Sequence, residues 1–129
     1  MDIPLVPISV GELYDKYSIL EIKLSKITDN KKLSYIQKEY NMLENIVKKY
    51  KLRPKMYEML KEANLILWRT EDKLREKEKY NTFDREFIEL ARSVYKNNDL
   101  RHKIKQTINM IFDSEITEIK SYSTYDPNL

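Results

Sequence analysis

The sequence predicts an all-α fold: an antiparallel four-helix bundle with two long C-terminal helices and an extended C-terminal tail. Three observations carry this reading. The 129 residues include one glycine and four prolines, too few for the glycine-dependent turns of hairpin-rich sheets. Apolar residues recur at alternating spacings of three and four along four segments, which lines one face of a helix. The breaks between those segments carry capping or proline signals. With 41% hydrophobic residues, a chain of this length buries a core without disulfides or metals, and residues 1–129 read as one helical domain.

Ser9-Val10-Gly11-Glu12 fits a capping box, so helix one is expected over 10–27 with Val10, Leu13, Tyr17, Leu20, Leu24 and Ile27 on its apolar face. Thr28-Asp29-Asn30 stops it. Helix two is expected over 31–50, repeating the spacing through Leu33, Ile36, Tyr40, Leu43, Val47 and Tyr50, and the short link makes the pair antiparallel. Pro54 suits a first helical turn, which predicts helix three over 55–79 through Met56, Leu60, Ala63, Leu67, Thr70 and Leu74. After Asn81-Thr82, helix four is expected over 83–112, with Phe87, Ala91, Val94, Asn98, Arg101, Lys105, Ile108 and Phe112 at its seam. The tail, 114–129, alternates Ile116, Ile119 and Tyr122 ahead of Asp126-Pro127. It is expected to be extended, and a two-strand contact with Ile3 to Ile8 is not the favoured course.

The opening Met1-Asp2-Ile3-Pro4-Leu5-Val6-Pro7 has no basic leader and is interrupted by prolines, which predicts a cytoplasmic protein, in a host's cytoplasm if the source is viral. No membrane partner is expected, because the helical body's longest apolar run, Leu65-Ile66-Leu67-Trp68, falls far short of the roughly 18 residues a span requires. The absence of cysteine and a single histidine remove nitrogen and sulfur metal sites and leave carboxylate oxygens for magnesium or manganese as the sole metal option; neither a metal nor a cofactor is expected. The net charge of +3 conceals basic patches, of which Lys48 to Lys55 is the densest. Lysines there face the negative end of the second helix's dipole, a simpler role than nucleic-acid binding.

The informative irregularity is a polar break in helix four. Asn98, Arg101 and Lys105 occupy seam positions, and two cations one turn apart repel each other while burial of either alone costs several kcal/mol in order of magnitude. Anions are therefore expected nearby. A hairpin centred on Asn81-Thr82 puts Arg101 level with Glu62 and brings Asn64 nearest on the seam side. Glu71, Glu21 and Glu44 are the carboxylates nominated to neutralise the pair, Arg75 follows Glu71 by one turn, and Trp68 or Tyr95 would supply an apolar wall. Two readings of this cluster of Glu21, Asn64, Trp68, Glu71, Arg75, Tyr95, Asn98, Arg101 and Lys105 stand open. One is a buried polar network that fixes helix register; the other is a pocket awaiting an anionic or hydroxyl-rich small molecule. Enzyme signatures are missing: Glu86-x-x-Glu89 lacks the later Glu-x-x-Asp of helical magnesium pyrophosphatases, and His102 has no second histidine or cysteine.

Ile8-Ser9-Val10-Gly11-Glu12-Leu13, Asp15-Lys16 and Ile19-Leu20-Glu21-Ile22-Lys23 resemble the opening of a helical domain family of unknown function from bacteria and viruses. Asn64, Leu67-Trp68, Glu71-Asp72, Arg75, Phe83-Asp84 and Leu90 to Tyr95 continue the likeness. Asn98-Asp99, Arg101, Lys105, Asn109 and Lys120-Ser121-Tyr122 extend it to the tail. The resemblance carries no catalytic residue; it implies that these polar positions belong to a shared pattern. Members sometimes sit beside glycosyltransferase or other glycan genes, which implies a glycan-related role by neighbourhood alone.

The expected function is a binding or assembly module, with partners in a second copy, another protein or an anionic small molecule. Self-association is expected through the overhanging ends of helices three and four, packed as a two-fold dimer. The alternative is an enzyme on a phosphorylated sugar or nucleotide, with Arg101 and Lys105 holding the anion and Glu71 as acid or base.

Overall fold

The computed structural model describes residues 2–123. Its regular elements are α1 (Val10–Lys26), α2 (Asn30–Val47), α3 (Pro54–Lys79) and α4 (Arg85–Ile111), with no strand among the described residues. Side chains fix most of the starts. Ser9 Oγ accepts the Glu12 N–H at 3.0 Å, Asp29 Oδ1 that of Lys32 at 2.9 Å, and Asp84 Oδ1 that of Phe87 at 2.9 Å, each satisfying an amide that the helix itself leaves open. Pro54 opens α3 without a side-chain cap. Asp84 therefore sets the start of α4 two residues later than the apolar pattern implied and leaves Phe83 outside. α2 stops at Val47 instead of 50, since the Lys49 and Tyr50 amides turn to carbonyls three residues back, at 3.1 and 3.0 Å.

α3 and α4 form a hairpin whose turn places Asn81 at φ 53 and holds Lys77 against Asp84 at 3.0 Å. α1 packs on both arms of that hairpin, whereas α2 packs on α1 alone of the helices among the described residues. This asymmetry explains the burial. Every α2 residue keeps some exposure, and its tie to α1 is aromatic: the Tyr17 and Tyr40 rings stack at 4.7 Å with their hydroxyls bonded at 2.8 Å. α1, with partners on more than one side, buries a second stripe of Tyr14, Ser18 and Ile22 that a one-faced pattern does not predict. Val10, Tyr14, Leu60, Ala63, Ile104 and Ile108 form the core, and Phe112 closes one end by stacking on Tyr14 at 6.3 Å.

Gly11 is the contact point of α1 and α4. A Cβ there would lie 2.5 Å from the Lys105 carbonyl oxygen and 2.9 Å from Asn109 Oδ1, so a side chain of any size would separate the helices. Its amide donates to Asn109 Oδ1 at 2.6 Å, and the neighbouring Val10 amide donates to Ser114 Oγ at 3.2 Å. The first turn of α1 is thus capped largely from the far end of the chain.

The tail is extended, as expected, and it turns back along α4. Asp113 at φ 48 reverses the chain, Ser114 donates its amide to the Asn109 carbonyl at 2.8 Å, and Thr117 Oγ1 accepts from the Asn109 side chain at 3.2 Å. Residues 114–123 therefore return along α4 without regular structure, while residues 3–8 remain exposed. Polar anchors on α4 outweigh the alternating isoleucines, of which Ile119 is 79% exposed. Asp126 and Pro127 lie outside the described residues.

Candidate functional site

Between α4 and the returning tail lies a cavity of about 310 Å³. Tyr95, Asn98, Arg101 and Lys105 line it from α4, joined by Asp99 and His102 of the same helix and by Glu118, Lys120 and Tyr122 of the tail. Spacings of three and four along α4 put the helical members on one face.

Behind the cavity sits a buried polar layer. Asn64, 5% exposed, donates from its amide nitrogen to Asp15 Oδ1 at 2.9 Å and Ser18 Oγ at 2.8 Å. Its carbonyl oxygen is thereby turned outward and accepts from Arg101 at 3.1 Å. The hairpin register sets Arg101 level with Glu62, and Asn64 is the seam-side neighbour it brings near. Among the described residues, no carboxylate stands within ion-pair distance of Arg101, and a neutral amide is its partner.

Lys105 is held differently. Its ammonium is buried and reaches Glu12 at 2.7 Å, Glu118 at 3.1 Å and Asp15 at 3.7 Å. Burial pulls its pKa down, but the bonds to Glu12 and Glu118 and the charge of Asp15 together hold it above the usual lysine value. The neutralising carboxylates are thus Glu12, Asp15 and Glu118, and not Glu71, Glu21 or Glu44. Glu12 follows directly on Gly11, where α1 touches α4, and Asp15 lies one turn beyond it, whereas Glu71 is exposed to solvent. Glu21 accepts from the Tyr57 hydroxyl and from Lys61 at 3.1 Å, and Glu44 faces Lys48 at 3.8 Å. Glu12 accordingly makes only the backbone half of the expected capping box: its amide meets Ser9, while its carboxylate goes to Lys105.

Of the remaining candidates, Trp68 is half-buried on α3, Arg75 is exposed, and neither lines the cavity. Sequence reasoning missed Glu12 and Asp15 as ion partners, and Ser18, Asp99, His102, Glu118, Lys120 and Tyr122 altogether as site residues. A signal existed for several. Asp15, Asp99, Lys120 and Tyr122 stand among the residues that carry the family resemblance, but Glu118 does not, and no helical period extends into the tail.

Electrostatically the cavity is divided. Three cations, Arg101, Lys105 and Lys120, and two carboxylates, Asp99 and Glu118, are among its lining groups. Lys120, at 2.7 Å, and then Lys105 hold the Glu118 carboxyl well below the usual range, at about 2. Burial lowers the His102 pKa against the opposing pull of Glu118, which keeps the ring neutral at pH 7. Its Nδ1 is buried and has no hydrogen-bond partner among the described residues, with Glu118 Oε2 at 3.9 Å. The arrangement can bind an anion through Arg101 and offer amide and carboxylate acceptors or donors to neighbouring hydroxyls. Among the described residues no group of histidine, cysteine and acidic side chains is placed to hold a metal ion.

The fold and the cavity define a small all-α domain built around a buried salt-bridge network. A family model described as "Family of unknown function (DUF6165)" matches residues 5–127, and the chain belongs to that family. No curated protein and no solved structure matches it. Among the described residues no helix is long and apolar enough to cross a membrane.

Proposed function

We propose that the protein is a binding module whose cavity between α4 and the tail takes an anionic, hydroxyl-bearing small molecule. One observation carries the reading: Arg101 lines the cavity and, among the described residues, meets the neutral Asn64 carbonyl and no carboxylate within ion-pair distance. A partly buried guanidinium without a carboxylate is costly unless an anion visits it. At about 310 Å³ the cavity sits at the low end of the roughly 300–1,000 Å³ range of ligand pockets, which suits a sugar phosphate or mononucleotide better than a dinucleotide. Asn98 and Asp99 would meet hydroxyls, and Tyr95 and Tyr122 would border the ring. The glycan association of the family resemblance is compatible with a phosphorylated sugar.

Binding without catalysis is favoured over the enzymatic alternative because Glu71, the nominated acid or base, is exposed and does not line the cavity. The test is a thermal-shift screen of sugar phosphates, sugar nucleotides and mononucleotides, with the neutral sugars as controls. Anionic members should raise the Tm and neutral sugars should not, and Arg101→Gln should fold normally yet lose the response. An Arg101→Gln protein that responds like the parent, or a parent that responds to no anion, overturns the reading.

Self-association is a second reading with its own support. Burial in the hairpin ends at Thr70 on α3 and begins at His102 on α4, leaving Phe83 and Ile88 each 56% exposed. A two-fold copy packed on this free end would cover them. Sedimentation velocity on the parent and on Ile88→Glu tests it: a dimer that the substitution dissociates supports the reading, and a monomeric parent ends it.

A further inference from the structure

Resting on the cavity reading above, a finer inference concerns Glu118. Its carboxylate already occupies the place of an anion. Oε2 lies 3.1 Å from Lys105 Nζ, Oε1 lies 2.7 Å from Lys120 Nζ, and His102 Nδ1 faces Oε2 from 3.9 Å. Three nitrogens converge on one side chain.

We infer that Glu118 is an internal stand-in for a phosphate group, and that a phosphate-bearing ligand binds by displacing its side chain from Lys105, Lys120 and His102. Two independent observations point this way. The first is the orphaned His102 Nδ1, buried within a residue that lines the cavity. Buried polar atoms are nearly always bonded, so this nitrogen marks a partner that Glu118 approaches without reaching. A carboxylate offers two oxygens to three nitrogens, whereas a phosphate brings a further oxygen and additional charge.

The second is that Glu118 can leave at little cost. Its side chain is 40% exposed, whereas that of Lys105 is 8% exposed and is also met by Glu12 at 2.7 Å and Asp15 at 3.7 Å. Rotation of Glu118 into solvent therefore strands no buried charge. The tail itself need not move, because Ser114 and Thr117 anchor it independently. With Glu118 rotated away, Lys105 keeps Glu12 and Asp15 behind it, Asp99 is the remaining lining carboxylate among the described residues, and Arg101 and Lys120 make the cavity a stronger anion site.

The experiment measures inorganic phosphate and a sugar phosphate binding to the full chain by calorimetry at fixed ionic strength. Glu118→Ala and the isosteric Glu118→Gln are compared with the parent. Removing the internal competitor should tighten phosphate binding about tenfold or more in both variants, and Lys120→Met added to Glu118→Gln should reverse the gain. Should Glu118→Ala not fold, Glu118→Gln still decides the matter. Glu118 variants that bind no more tightly than the parent overturn the stand-in role, while Arg101-dependent binding by the parent leaves the cavity reading intact. Absence of binding in parent and variants alike overturns both. Tighter binding that survives Lys120→Met reveals an unrelated surface site and also overturns it.

Discussion

Gly11 and Lys105 meet backbone to backbone: a Cβ on the first would stand 2.5 Å from the carbonyl oxygen of the second. The contact brings Glu12 and Asp15 onto the Lys105 ammonium, so one missing side chain positions the whole ion network. Gly11→Ala is expected to destabilise the protein by about 1–3 kcal/mol through overpacking, despite the better helix propensity of alanine. Urea denaturation of the two proteins measures it, and an Ala variant as stable as the parent would show that the helices separate freely.

Asn64 is the hinge of the polar layer, since one amide joins Asp15, Ser18 and Arg101. Asn64→Ala should cost about 2–4 kcal/mol, more than a simple truncation, because it leaves buried partners on both α1 and α4 unsatisfied. The same denaturation measurement checks this. A loss below 1 kcal/mol, on the scale of an exposed site, would mean that water replaces the amide.

Lys105→Met removes the shared cation of Glu12, Asp15 and Glu118 and should cost about 3–5 kcal/mol at neutral pH. Chemical denaturation of the two proteins at neutral pH measures it, and a loss below 1 kcal/mol, on the scale of an exposed site, would mean that the carboxylates swing into solvent.

Two groups of the cavity shape the acid limb of stability. The folded His102 binds its proton less readily than the unfolded chain does, so stability should fall as the pH drops below the ordinary histidine value of about 6.5. Glu118 behaves as the depressed carboxylate. Its contribution is present above the ordinary value of about 4.3 and is lost as the pH falls toward the folded value of about 2. Tm against pH should therefore flatten near neutrality in His102→Leu, and flatten only at the lower step in Glu118→Gln.

At the alkaline end, burial and then hydrogen bonding raise the pKa of Tyr57, through Glu21, and of Tyr17, through Tyr40. Unfolded tyrosine loses its proton near pH 10, so stability contributed by these phenols should decline above that value. Ultraviolet titration of phenolate should show a delayed fraction that ionises only with unfolding. Tyr17→Phe and Tyr57→Phe should each reduce it.

Much of the architecture was legible in the chain. The stripe Leu60, Ala63, Leu67 and Thr70 is buried as its spacing implies, and Arg101 meets Asn64 where a hairpin centred on Asn81-Thr82 puts it. These are local consequences of helical period and turn position. The ends shifted where a cap outranked the apolar pattern, as Asp84 did.

The partners of the buried lysine were not legible. Glu71, Glu21 and Glu44 occupied suitable faces, but which carboxylate reaches Lys105 depends on how close α1 comes to α4, and Gly11 decides that through contacts with residues nearly a hundred positions away. Glu118 was hidden for a similar reason. The reversal at Asp113 and the anchors at Ser114 and Thr117 exist only once α4 and α1 are assembled.

The sequence by itself determined four helices, their order, the hairpin register and the presence of inward-facing cations, because each follows from period, caps and turn length within one or two neighbouring segments. Tertiary structure alone decided the ion partners, the course of the tail and the cavity it closes. Those depend on distances between segments far apart in the chain, which no local pattern encodes.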